Sequence, residues 1–473
     1  MRIHVALYYN GLLLALVGGG MVISSFVSLA SDGPVSMFLL VGLVTAAVGL
    51  TPMLIIPKHS DVSFRESIFI AAFGWISCCL VGALPYYFYG SPFTFLNAMF
   101  ESVSGFTSTG ASILQSVEEL PKGMLFWRSL THWIGGLGIV GFAYFVLPRV
   151  GQVSRSILPQ EYSGLGARTK DIARGLFMVY FGLTAAQVVF TVLAGMPFFD
   201  AVTTAFSTIS TGGFSVKNLS MASYGNLSAE IVVMIFMVLA GTNFVFILSL
   251  ASRPRATRSG WEIFRFYITM LGIFIVLTSI MIYGSTYQSW GEAIRYASFQ
   301  IITASTATGL GSADASSWPH AAQIVITIIM IIGACSGSSA GGIKLDRILL
   351  YFKVFSIRLK CFVHPNVVPA IRLDKKAMNV ENVERAVFYV SVYIAVLCLS
   401  TLALGWTGMT GVDSFTGSVA CLSNVGPGLG SVGAMENYYH IPEVGKMILI
   451  FVMLLGRLEV FALILPFTPG FWR

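Results

Sequence analysis

Charge is the scarce component of this chain. Asp, Glu, Lys and Arg make up 10% of its 473 residues, where soluble domains carry about 25%. No hydrophilic stretch is long enough to fold as a soluble domain of its own; the longest runs from about Lys344 to Arg385. A water-facing surface cannot be built from this composition. Cysteine is sparse as well. Cys78, Cys79, Cys335, Cys361, Cys398 and Cys421 lie mostly inside apolar segments with no C-x-x-C spacing, which argues for packing and against a thiolate metal site. No segment repeats arginine at the spacing of a voltage sensor. A nucleotide P-loop is also lacking, because Gly342 is followed by Ile343, Lys344 and Leu345 and not by lysine and then Ser or Thr. An intramembrane serine hydrolase built on Ser336, Ser338 or Ser339 has no histidine nearer than His320, at the far end of the same segment.

Apolar length is what the chain has in abundance, at 56% hydrophobic residues. Ten stretches, near 6–30, 35–57, 67–89, 125–148, 173–195, 229–251, 265–284, 321–336, 384–406 and 443–466, approach the roughly 20 residues that cross a hydrocarbon core of about 30 Å. The first superficially resembles a signal peptide, but Ala6 to Leu29 exceeds a typical apolar region of about 7 to 15 residues and reads as a retained helix. Basic residues are unevenly shared between these stretches. Arg2, the segments 58–66, 149–174, 253–265 and 344–385, and Arg473 together hold 22 of the 28 Lys and Arg, so this set is expected to face the cytoplasm, with both termini there. The net charge of +7 is then membrane anchoring, and no nucleic-acid partner is needed to explain it.

Four shorter apolar segments form a repeat on the opposite side: Ala98 to Gly110, Asp200 to Gly212, Ala297 to Gly309 and Ser414 to Gly426, each of 13 residues. A helix of that length is about 20 Å long, enough to enter a membrane and too short to cross it. Span, short helix, glycine turn and span is the plan of a re-entrant loop, whose non-helical backbone is tolerated at depth only beside protein or water. The expected fold is all-α: four pseudo-repeats around one central pore, preceded by two extra membrane helices. The repeats are expected at 58–148, 149–251, 252–376 and 377–473, after the leading pair at 1–57. Glycine suits an ion filter because carbonyls lining one narrow path need backbone angles that a Cβ resists. The candidate ion-binding residues are Ser108, Thr109 and Gly110; Ser210, Thr211 and Gly212; Ala307, Thr308 and Gly309; and Asn424, Val425 and Gly426.

The loops TSTGA, STGGF, ATGLG and NVGPG resemble the degenerate filters of the Trk/Ktr/HKT superfamily of potassium transport subunits. The two leading helices resemble the TrkH branch, and the resemblance covers almost the whole chain. The fourth loop departs most from the pattern, with Asn424, Val425 and Pro427. The resemblance implies K+ as the transported ion, no cofactor bound by this chain and no enzymatic activity. It also implies a homodimer in a bacterial or archaeal plasma membrane. A cytoplasmic nucleotide-binding regulatory subunit, a TrkA-like ring, would dock on the basic segments 149–174 and 344–376. In plant relatives a serine at the first-loop glycine accompanies sodium transport; Gly110 here implies potassium.

The run Gly333 to Lys344, GACSGSSAGGIK, places four glycines in ten residues, each costing a helix about 1 kcal/mol relative to alanine, so the eighth stretch is expected to open into a loop. In the resembled family this is an intramembrane gate, making Gly337, Ser338, Ser339, Gly341 and Gly342 the gate candidates. An arginine at the place of Arg457 contacts that loop in the family; the residue-level alternative is a buried ion pair, with Glu459 poorly placed as a local partner. Lys344 either joins the gate at the inner mouth or snorkels to the interface. Glu101 and Asp200 either concentrate cations at the entrance or tie and cap nearby backbone. Arg128 and His132 read as structural, and Asn243 either lines the cavity or bonds between helices. The competing class is a Na+- or H+-coupled secondary transporter, which also uses broken helices near the midplane.

Overall fold

The structure, a computed structural model, describes residues 2–31, 33–57, 62–145, 169–252, 260–364, 371–373, 376–378 and 380–472. It opens with an antiparallel pair, α1 (Ile3–Leu29) and α2 (Val35–Ile55). In lipid, helices associate by close packing more than by burial, and small residues permit it. Gly11 faces the Gly49 backbone, while Gly18 faces Gly42 and Ala46, so these small residues form the seam of the pair.

α3 (Phe64–Gly82) begins with a reciprocal capping box between Ser63 and Glu66, and Glu66 also accepts the Arg2 guanidinium at 2.9 Å. A short helix, α4 (Leu84–Tyr89), leads to α5 (Phe95–Phe106) and α6 (Lys122–Phe145). The order long helix, short helix, loop, second helix then recurs. α7 (Thr169–Leu193) and α8 (Phe198–Ile209) precede α9 (Leu227–Ala240) and α10 (Phe244–Ser252). α11 (Trp261–Ile282) and α12 (Trp290–Ser305) precede α13 (His320–Ile332) and α14 (Leu345–Val363). A two-residue antiparallel pair, β1 (Arg372–Leu373) and β2 (Lys376–Ala377), follows. The last set is α15 (Val380–Trp406), α16 (Gly411–Leu422), α17 (Glu443–Arg457) and α18 (Phe461–Ile464).

Among the described residues, six helices are long and apolar enough to cross a membrane, and two bent pairs pass the same test jointly. The bent pairs differ from the unbroken stretches expected at 229–251 and 443–466. α9 and α10 meet at 99°, and α17 meets the segment Phe461–Phe467 at 110°. Each break has a local cause. After Gly241, the Asn243 side chain accepts the N–H groups of Val245 and Phe246 at 2.8 and 3.1 Å, capping a new helix start. After Arg457, both Glu459 and Val460 take φ of +52°, which no α-helix accommodates. The short helices α5, α8 and α16 have 12 residues and α12 has 16. α5 and α16 start at threonine N-caps, Thr94 and Thr410. α8 starts after Pro197, so Asp200 lies inside its first turn and is not its cap.

Candidate functional site: four glycine loops above a glycine-serine loop

All four short helices end in the same way. The backbone N–H groups of Thr109, Gly212, Thr308 and Val425 bond back five residues, to Ser104, Ser207, Thr303 and Ala420, at 2.7 to 2.9 Å. The N–H groups of Ser108, Thr211, Ala307 and Asn424 bond back three residues. This pair of bonds is a Schellman termination, which needs a left-handed residue just past the C-cap. Glycine usually takes that place; here Ser108, Thr211, Ala307 and Asn424 take it, with φ between +49° and +55°. Four non-glycine residues held there, one of them the β-branched Thr211, store strain that the surrounding packing must sustain. Asn424, which departs from the other loops in sequence, is well suited to its left-handed angle, so the fourth loop turns as the others do.

Two residues further on, each chain reaches a glycine with φ between +75° and +92°: Gly110, Gly213, Gly309 and Gly426. The second loop therefore differs in register from the expectation. Gly213 is the counterpart of Gly110, Gly212 is the counterpart of Thr109, and Ser210 is a helix C-cap like Thr107, Thr306 and Ser423. The T-G dipeptide at Thr211-Gly212 imitates the pattern of the first and third loops one residue too early. The helix end decides the register, and sequence spacing did not reveal it.

The four glycines close on one another in a ring. A Cβ on Gly110 would overlap the carbonyl oxygen of Gly212; on Gly213, that of Thr308; on Gly309, that of Val425; and on Gly426, that of Thr109. Each ring glycine thus abuts the residue before the next ring glycine, and the fourth returns to the first. Only glycine fits such an approach at these angles. The hydroxyls behind the ring are already occupied. Thr109 bonds to Thr107 at 2.7 Å and accepts from Asn424 at 2.9 Å, Thr308 bonds to Thr306 at 2.7 Å, and Thr211 donates to the Ser210 carbonyl at 2.6 Å.

Glu101 is fully buried and holds the Arg128 guanidinium at 2.8 Å. It also accepts from Ser112 and from the Ile113 N–H, while Arg128 reaches the Ser215 carbonyl. It is a tie between the exits of the first and second loops and not an exposed entrance charge. Asp200 accepts the Tyr224 hydroxyl at 2.8 Å.

Below the ring the segment between α13 and α14 is non-helical, with positive φ at Gly333, Gly337, Gly342 and Lys344. Ser339 lies at its centre: its hydroxyl donates to the Ile209 carbonyl at 2.9 Å, and its carbonyl accepts from Arg457 at 2.8 Å. A second Arg457 nitrogen donates to the Ser108 hydroxyl at 3.0 Å. The arginine therefore joins the first glycine loop to the lower loop, and Glu459 is engaged elsewhere, with Arg347, whose guanidinium stands 3.9 Å from the centre of the Tyr389 ring. The backbone of Gly341 packs against the Ser423 carbonyl, leaving no room for a Cβ. Lys344 is buried and folds back to the Ala340 carbonyl. Asn243, at the α9–α10 break, donates to the Ser336 carbonyl at 2.7 Å, and Phe244 donates to the Gly337 carbonyl. Sequence reading did not connect Asn243, Arg347 or Glu459 to this loop. A cavity of about 20 Å3 remains between Ser338, Gly341, Asn424, Gly456 and Arg457, enough for about one water.

Long apolar helices, re-entrant half-helices and broken spans define a multi-pass helical membrane transport protein. A family model described as a cation transport protein, TrkH, matches residues 36–471, and the chain belongs to that family. It is 35% identical to the Trk system potassium uptake protein TrkH of Salmonella typhimurium, over 98% of both chains. It is 31% identical to the protein of the same name from Halomonas elongata, over 100% of both. The crystal structure of the potassium transporter TrkH from Vibrio parahaemolyticus superposes with a TM-score of 0.90 at 30% identity, covering 100% of each chain. These relatives are transport proteins and not enzymes.

Proposed function

We propose that this chain takes up K+ through a path on the axis of the four glycine loops, preferring K+ and Rb+ to Na+. The ring in which each glycine abuts the next loop's carbonyl carries this reading, because a closed ring of backbone carbonyls can replace an ion's hydration shell. The printed function of the relatives supports the same ion. A fourfold cyclic contact also favours a pore over the coupled transporter, whose repeats rock about a two-fold site. The ion-binding residues on this reading are Ser108 to Gly110, Thr211 to Gly213, Ala307 to Gly309 and Asn424 to Gly426.

The loop Gly333 to Lys344 is the gate, held closed through Ser339, Gly341 and Arg457. Control comes from a cytoplasmic nucleotide-binding subunit acting on a homodimer in the bacterial plasma membrane, with both termini cytoplasmic. Of its docking segments, 149–174 lies outside the described residues up to 168, with 169–174 opening α7; the described part of 344–376 is Lys344, α14, His364, 371–373 and Lys376. Fluxes of K+, Rb+, Na+ and Li+ into liposomes at clamped potential, with Gly110→Ser alongside, test the proposal. Uptake of K+ and Rb+ well above Na+, with the difference lost in the variant, is expected. A ratio that Gly110→Ser leaves untouched refutes the filter, and K+ uptake driven by a Na+ or H+ gradient at fixed voltage refutes passive conduction.

A further inference from the structure

Behind the second loop, a side chain from another helix stands where the loop's own is missing. In the first and third loops the residue before the ring glycine is a threonine bonded to the C-cap threonine. The second loop has Gly212 there and Ser210 at the C-cap. A Cβ on Gly212 would collide with the His132 ring, lying 2.6 Å from Cδ2 and 2.8 Å from Nδ1. His132, from α6, is fully buried, and both ring nitrogens are used. Nδ1 lies 2.8 Å from the Gly105 carbonyl, and Nε2 lies 3.1 Å from the Phe214 backbone N–H. A carbonyl only accepts and an amide N–H only donates, so these partners fix the neutral Nδ1–H tautomer. The ring also stacks on Phe214 with centroids 4.1 Å apart, and the Arg128 guanidinium stands 4.1 Å from the Phe214 centroid.

We propose that His132 is a specificity-determining positioning residue: it fills the place of the side chain absent at Gly212 and fixes where the Gly212 and Gly213 carbonyls face the ion path. The inference rests on the filter reading above. One rigid ring bonds the end of α5 to the backbone just past Gly213, across the joint between the first two loops. Discrimination among alkali cations depends on how many carbonyls surround the ion and how closely. Without the imidazole nothing fills the place of the missing side chain at Gly212, and the bonded link between the first two loops falls to Arg128 on the Ser215 carbonyl, beyond the ring.

The test is the K+ to Na+ uptake ratio in liposomes at clamped potential for the wild type, His132→Ala, Gly212→Thr and the double variant, each checked for a monodisperse membrane protein. Each single change is expected to lower the ratio by about tenfold, and the double to recover it to within about threefold, since neighbouring substitutions of complementary volume compensate. In the double variant the threonine enters the vacated space and meets Ser210 as Thr109 meets Thr107. A merely structural histidine would change protein yield and total flux but leave the ratio of the surviving protein intact. A wild-type ratio in His132→Ala overturns the proposal, as does a monodisperse double variant whose ratio stays as low as the worse single. If Gly110→Ser lowers the ratio and the His132 and Gly212 variants do not, this inference alone fails; if Gly110→Ser also leaves it unchanged, the filter reading fails with it.

Discussion

Replacing Arg457 by glutamine should raise K+ flux through the protein in the absence of any regulatory partner. The side chain is 3% exposed, takes part in none of the ion pairs among the described residues, and makes two bonds, to the Ser339 carbonyl and the Ser108 hydroxyl. Hydrogen bonds from a charged donor contribute about 1.5 to 3 kcal/mol each, so losing both from the closed state alone would shift the gate by about 3 kcal/mol or more. The charge adds a second contribution of the same sign, because a fixed positive charge beside the path opposes a passing K+. Water entering the vacated space returns part of both terms, leaving a rise on the order of 100-fold, or nearly 3 kcal/mol. Arg457→Lys keeps the charge but loses the two-pronged fork, so a rise on the order of tenfold is expected. The protein should still insert, because the substitution removes a buried charge that has no carboxylate partner. Partner-free liposome flux at equal protein content checks this. Flux in Arg457→Gln at or below that of the wild type would refute the gate reasoning outright.

Three further outcomes follow from the ties around the site. Glu101→Gln leaves Arg128 buried without its partner, a loss of about 3 to 5 kcal/mol, and should lower the thermal midpoint in detergent; a changed half-saturating K+ concentration at an unchanged midpoint would instead make Glu101 an entrance charge. Asn243→Ala uncaps α10 at a cost of about 1 to 2 kcal/mol and frees the Ser336 carbonyl, so partner-free flux should rise by less than in Arg457→Gln; unchanged flux would detach the α9–α10 break from the gate. Gly49→Leu forces α1 from α2, since a Cβ at Gly49 already lies within 3.0 Å of Ala15 Cα. Expression should fall while the cation ratio of the surviving protein holds, and an altered ratio would give the leading pair a share in the path.

The helical membrane class was legible because apolar length and the scarcity of charge leave few alternatives. The short helices were legible because small and polar residues follow each apolar run at the same distance. Register was harder to read. In the second loop two adjacent glycines follow Thr211, and only the helix end, with Ser210 as C-cap, assigns the ring position to Gly213. The reason for the extra glycine lies in His132, some 80 residues earlier in the chain, a volume relation that local spacing does not carry. The breaks divided along the same line. Four glycines announced the opening after α13, whereas the break after Arg457 turns on Glu459 and Val460, which have no local signature of a turn. Long-range pairing also set the roles of the charged residues. Glu101 was readable as an entrance charge until Arg128 was found against it, and Glu459 had no assigned partner because Arg347 is 112 residues away.

The position of Arg457 joins these observations. A buried guanidinium without a carboxylate is costly in a membrane protein, so something else must compensate its charge. Its surroundings are the C-terminal ends of the short helices: Gly456 packs against the Leu422 carbonyl, and Arg457 itself bonds Ser108, just past the end of α5. Unpaired carbonyls give a helix C-terminus a partial negative charge that favours a cation within about one turn. The same ends are also met by neutral donors, with Ser339 on the Ile209 carbonyl and Trp75 on the Phe106 carbonyl. On the proposed reading, the helix ends that would stabilise a dehydrated K+ in the path instead hold a fixed cation and a hydroxyl when the loop is in place. Closure then needs no bulky plug. It needs only that Arg457 and Ser339 occupy the field the ion would use, and this accounts for a gate built from glycine and serine and braced by a single arginine.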